Sequence, residues 1–240
     1  MTGAARLMAL WREDRGLTAL LALLVLDVFV AYPASPAGVV LDGVSRGLAT
    51  LLLLAGSLAV ARGRRARYLV AGLYAVTIVV NWAALSAAHP AWQAGRGLLS
   101  LLSLLVMCAL LLGQVSRAGP VTAHRVRGAI AAYLLIAVIF GHAYWVVETL
   151  RPGAFTLPSW WAGARPRQVE AFYYFSIVTL TTLGYGDMVP VHPVARSLTT
   201  AEALIGQLYP AILIARLVSL QIETRRATRE TRGDGGSGES

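Results

Sequence analysis

Lysine is missing from this 240-residue chain, and cysteine occurs once, as Cys108. All 21 basic residues are therefore arginine, and neither an intrachain disulfide nor a cysteine-based metal site can be built. Charge is scarce: 14% of residues are charged and 57% are hydrophobic, too apolar for a soluble domain of this length. The scattered His, Ser and carboxylate residues form no cluster that makes a plausible active site, so an enzyme is the least expected class. No signal-peptide cleavage pattern accompanies the first apolar run, which reads as a retained helix. These absences leave an integral membrane protein.

A helix that crosses the hydrocarbon needs about 20 residues. Six apolar segments approach that length: Leu17–Tyr32, Val44–Ala61, Tyr68–Ala88, Leu98–Val115, Gly128–Leu150 and Val194–Gln221. Glu170–Leu180 is too short to span and reads as a re-entrant helix, tolerated at membrane depth only when walled in by protein.

The net charge of +9 does not point to nucleic acid, because the arginines fall in alternate loops. Arg6, Arg12 and Arg15 precede the first span, Arg62–Arg67 (RGRRAR) follow the second, Arg117, Arg125 and Arg127 follow the fourth, and Arg225, Arg226, Arg229 and Arg232 follow the sixth. By the positive-inside rule both termini are expected in the cytoplasm of a multi-pass protein of the cell membrane. RGRRAR also suits anionic lipid headgroups, and both readings hold together. Trp92, Trp145, Trp160 and Trp161 are expected at the outer interface.

The most informative stretch is TLTTLGYGD, Thr179–Asp187. Successive carbonyls can point at one axis only if some residues take positive φ, which costs little only for glycine, so Gly184 and Gly186 are expected there. A surface turn would use the same residue types, but not between a short amphipathic stretch and an apolar helix. Over about Gly128–Gln221 the chain resembles the pore module of tetrameric potassium channels. The resemblance implies a ring of backbone carbonyls from Thr182, Leu183, Gly184 and Tyr185, with the Thr182 hydroxyl as innermost ring, replacing the hydration shell of a potassium ion. Potassium is then the permeant ion, and no cofactor is called for. Tyr185 is expected to turn its ring onto the re-entrant helix, where Phe172, Tyr173, Tyr174 and Phe175 would hold the filter width. Asp187 is expected at the outer mouth. Val178 stands where some family members carry a glutamate that pairs with the filter aspartate, so Asp187 needs another partner, for which the Tyr174 hydroxyl is available. Leu183 replaces the more frequent valine. Thr181 and Gly186 complete the support of the filter.

The last helix resembles the family's inner helix. Gly206 falls where many members have a flexible glycine, and close packing is the competing reading. Pro210 lacks the amide that would complete the helix, Gln207 is expected to face the water-filled cavity, and the apolar 212–217 region to form a constriction that closes by dewetting. Glu202 lies inside this helix and must be paired or wet; Thr199, Thr181 and a neighbouring subunit are the candidate partners. Asp27 is expected either to pair with Arg46 or His142 or to be solvated at an interface, and Glu148 to reach the outer interface.

The expected fold class is an all-α membrane protein, with six transmembrane helices plus a re-entrant pore helix and a selectivity-filter loop, assembled as a homotetramer because one loop cannot surround an ion. Residues 1–127 form a four-helix region, 128–221 the pore domain and 222–240 a flexible cytoplasmic tail without a nucleotide or calcium domain. The fourth span reads LLSLLSLLVMCALLLGQV and carries no arginine. A voltage sensor needs charge inside the field, worth about 2.3 kcal/mol per charge per 100 mV, so no conventional sensor is expected. The expected function is passive, potassium-selective conduction. Ion-uptake transporter subunits carry four degenerate loops in one chain, whereas this chain has a single well-formed one. A non-conducting receptor or accessory role is opposed by the intact Thr182–Asp187 string.

Overall fold

The computed structural model describes residues 17–31, 47, 50, 51, 53, 64–83, 90–115, 123–158 and 168–233. Helix α1 covers residues 17–26 and passes into a π-helical turn at Asp27–Ala31. The helices that follow are α2 (Arg64–Ala83), α3 (Pro90–Val115), α4 (Ala123–Leu150), α5 (Gln168–Leu180) and α6 (Pro193–Gly233). Two-residue strands β1 (Phe155–Thr156) and β2 (Val189–Pro190) pair antiparallel, with Phe155 opposite Pro190, so the chain leaving α4 is clipped to the chain entering α6.

The regular structure of the described residues is helical apart from that clip. Among the described residues, three helices are long and apolar enough to cross a membrane: Trp92–Gly113, Arg125–Leu150 and Pro193–Arg216. Leu17–Phe29, Tyr68–Ala83 and Ala171–Leu180 are shorter apolar helices. Most of the expected second span, Val44–Ala61, lies outside the described residues, where only 47, 50, 51 and 53 are placed, all helical. The expected fourth span starts earlier than Leu98, because Pro90 opens α3 at a first-turn position where its missing N–H costs nothing. The last helix continues past Gln221 to Gly233, into what the composition suggests is a flexible tail. Glu223–Arg226 and Arg226–Glu230 stand at the i,i+3 and i,i+4 spacings that favour helix, and Gly233 ends the run.

Burial follows helical periodicity. Leu17, Leu20 and Leu24 of α1 with Val28 of the π-helical turn, and Leu104, Met107, Cys108 and Leu111 of α3, recur every three or four residues, and both stripes pack into one core with Ala131, Leu135 and Val138 of α4. Helix α2 joins α3 through polar contacts: the Thr77 and Ser103 hydroxyls lie 2.7 Å apart, and Asn81 Nδ2 donates to Ser100 at 3.1 Å. A second core is aromatic, with Phe155 of β1 meeting Tyr144, Phe172 and Phe175 edge-on at centroid distances of 5.4, 4.9 and 5.5 Å. It buries Trp145 as well, 8% exposed, with Arg96 stacked 5.4 Å above its ring, so this tryptophan is core and not an interface anchor. Trp92 is exposed, while Trp160 and Trp161 lie outside the described residues.

Candidate functional site

Helix α5 ends at Leu180, and its last carbonyls need donors from outside the helix. The following loop supplies them. Thr181 N donates to Ile177 O at 2.9 Å and Thr182 N to Thr179 O at 2.9 Å. Leu183 N and Gly184 N then share Val178 O at 2.9 and 3.2 Å. The backbone next alternates: φ is 60° at Thr182, 55° at Gly184 and 78° at Gly186, while Leu183 and Tyr185 keep negative φ. Reversing φ at every second residue brings carbonyls that would alternate in a strand toward one side. With the loop's N–H groups turned back to α5, the carbonyls of Thr182–Tyr185 accept no hydrogen bond among the described residues.

Gly184 and Gly186 take the conformation expected of them. Thr182 takes it too, and nothing in the sequence signals this: a left-handed conformation is rare for a β-branched residue and costs about 1–2 kcal/mol. It is held where Gln207 Nε2 of α6 donates to its hydroxyl at 3.1 Å. The Thr181 hydroxyl turns the other way, to Ile177 O at 2.7 Å.

At the other end of the loop, the Tyr174 hydroxyl donates to Asp187 Oδ2 at 2.8 Å, and Met188 N donates to Asp187 Oδ1 at 3.1 Å. The Tyr185 ring lies parallel to Tyr174, 8° between planes and 6.5 Å between centroids, so it rests on α5. Of the other aromatics expected to brace this turn, Phe172 and Phe175 serve the Phe155 core instead, and Tyr173 bonds His142 Nδ1 at 3.0 Å. That contact, with Val138 O 3.2 Å from the same nitrogen, engages His142 Nδ1, and among the described residues no hydrogen bond or ion pair joins His142 to Asp27; Arg46 lies outside the described residues.

Gly206 sits against the end of α5 so closely that a Cβ there would overlap the Leu180 carbonyl. The same carbonyl accepts from the Tyr133 hydroxyl at 3.2 Å. Tyr133 stacks on Tyr209, whose own hydroxyl donates to Ala129 O at 2.9 Å. Close packing is thus what this glycine does here, and α6 continues as one helix through Pro210. Glu202 is fully buried, bonded to the Tyr144 and Ser176 hydroxyls, neither of which is among the partners expected from sequence. The Thr199 hydroxyl goes to Ala195 O at 2.8 Å. Glu148 is also buried, not interfacial: its carboxylate accepts from Gly153 N at 2.8 Å and Phe155 N at 3.2 Å, shaping the turn into β1.

Thr181–Asp187 are all exposed in the single chain, Leu183 by 56% and Tyr185 by 66%. Only 11% of the α6 span is buried within the chain, against 61% of α4. Leu204, Leu208 and Ile212 line an apolar face four residues apart, with no covering partner within the described chain.

Residues 132–222 match the family model described as ion channel. Kirbac3.1, an inward rectifier potassium channel of Paramagnetospirillum magnetotacticum, is 35% identical over 105 residues, 42% of this chain and 29% of its own. Through this segment the chain is related to the potassium channels. A two pore potassium channel c from Oryza sativa subsp. japonica is 37% identical over 92 residues, 38% of this chain and 18% of its own. Protein LctB of Geobacillus stearothermophilus is 38% identical over 80 residues, 33% of this chain and 59% of its own. The chain thus spans less than two thirds of each of these relatives. The matched segment contains α5, the alternating loop and α6 to Ile222, while α1, α2 and α3 lie before it.

Proposed function

We propose that the chain is one subunit of a homotetrameric, potassium-selective channel. The carbonyls of Thr182, Leu183, Gly184 and Tyr185, with the Thr182 hydroxyl, would then exchange for the ion's water shell. The observation that carries this reading is the alternation of φ at Thr182, Gly184 and Gly186, which leaves those carbonyls without protein donors on an exposed edge. A single chain supplies one such edge, and a ring needs several. The exposed apolar face of α6 supports assembly, since four copies would cover each other's Leu204, Leu208 and Ile212. Residues 128–221 act as the pore domain, with Tyr174, Thr181, Gly186 and Asp187 supporting the filter and its outer mouth. Gln207 faces the cavity beneath Thr182, and Gly206 and Pro210 belong to the inner helix that gates. Both termini are cytoplasmic, and anionic lipid meets Arg62–Arg67, whose side chains lie outside the described residues.

On this reading the first four helical segments brace the pore, bind lipid or receive a signal, and do not sense voltage in the conventional way. In α3 the one charged residue is Arg96, near the helix start and stacked on Trp145. The deciding experiment is potassium against sodium flux in liposomes holding the purified protein, with Gly186→Asp as control. Potassium-selective flux lost in the variant is the expected result; unchanged selectivity in the variant removes the filter assignment.

A further inference from the structure

We propose that Glu202 is a positioning residue for the 182–185 strand and acts as a neutral carboxylic acid that donates its proton to the Ser176 hydroxyl. The inference rests on the reading of that strand as an ion path, and it is argued from proton counting. Ser176 Oγ lies 2.7 Å from the Ala137 carbonyl of α4 and in hydrogen-bond contact with Glu202 of α6. A serine hydroxyl has one proton to give and lone pairs to receive. The Ala137 carbonyl can only accept. If Glu202 were ionised, Ser176 would face two acceptors with a single proton, leaving one contact as two oxygens repelling at bonding distance. A protonated Glu202 resolves both contacts, because its O–H donates to Ser176 and Ser176 donates to Ala137. The other carboxyl oxygen accepts a hydrogen bond from the Tyr144 hydroxyl.

The surroundings agree. Glu202, Ser176 and Tyr144 are each fully buried, and Phe140 and Phe175 flank Tyr144 at 6.0 and 5.1 Å between centroids. Facing Glu202 are Tyr144 from α4 and Ser176 from α5, and among the described residues it forms no ion pair with a cation. A buried carboxylate without a countercharge is costly, whereas a neutral acid with every oxygen bonded is not.

The chain of bonds joins α6, α5 and α4 at one point. Ser176 precedes Val178 by two residues, and the Val178 carbonyl holds the N–H groups of Leu183 and Gly184. Fixing Ser176 therefore fixes the anchor of the strand.

The test is infrared difference spectroscopy of the purified full chain at neutral pH, wild type minus Glu202→Gln. A protonated carboxyl band lost in the variant is expected, and the absence of such a band overturns the proposal. Glutamine reproduces the neutral acid, its amide donating to Ser176 and its oxygen accepting from Tyr144. The thermal midpoint and potassium selectivity should accordingly survive Glu202→Gln and fall in Glu202→Ala. Equal damage from both substitutions would also overturn it. The spectroscopic band does not depend on conduction, so a band in the wild type together with unchanged potassium selectivity in Gly186→Asp refutes the filter reading and leaves the protonation intact.

Discussion

At the scale of single residues, the decisive feature is backbone sign. Gly186 holds φ at 78°, where any side chain is strained by about 1–2 kcal/mol. Gly186→Asp should abolish current or its potassium selectivity while leaving the assembly intact, as flux and size-exclusion measurements on the same preparation will reveal. Tyr174→Phe removes a bond to Asp187 worth about 0.5–1.5 kcal/mol and keeps the stack on Tyr185. The expected outcome is a smaller rise in melting temperature on exchanging sodium for potassium than the wild type shows. The glycines were readable from the GYG string because only glycine takes those angles cheaply. Thr182 was not, because its angle is imposed by the hydrogen bonds that fold the strand back onto Val178 and Thr179.

At the scale of elements, the joints matter more than the helices. The apolar helices follow from length and composition, yet where they touch depends on a few small or polar groups. Gly206 lets α6 reach the Leu180 carbonyl, and Gly206→Leu should destabilise the fold by roughly 1–3 kcal/mol through overpacking. Thermal unfolding measures this directly, and a neutral result would return Gly206 to the role of a hinge. Glu148→Ala strips two N–H groups of their acceptor at the turn into β1, each loss costing about 1–3 kcal/mol where water cannot replace it. Proteolysis near Gly153 should then quicken. Glu148 and Trp145 looked interfacial in sequence because charge and tryptophan favour interfaces. Folding turned both inward, onto the β1 turn and the aromatic core, which the linear pattern does not encode.

At the scale of the whole molecule, the proposed assembly rests on surfaces that the single chain leaves open. On the proposed reading, copies of the same chain would cover the exposed 182–185 strand and the open apolar face of α6. Crosslinking in mild detergent should stop at four chains, and a conducting monomer would contradict the assembly. Currents in symmetric potassium should lack a steep activation threshold, because α3 offers one arginine, near its start, for the field to move. A sigmoid conductance–voltage curve worth several gating charges would overturn that expectation.

The sequence by itself determined the membrane class, the order of apolar segments and the 179–187 motif, because hydrophobic run length and glycine placement are local properties of the chain. The tertiary structure decided the partners of Glu202, Glu148 and His142, the angle at Thr182 and the packing of Gly206. Each of these depends on which helices come into contact, and burial then forces every polar group to find whatever donor or acceptor that contact provides.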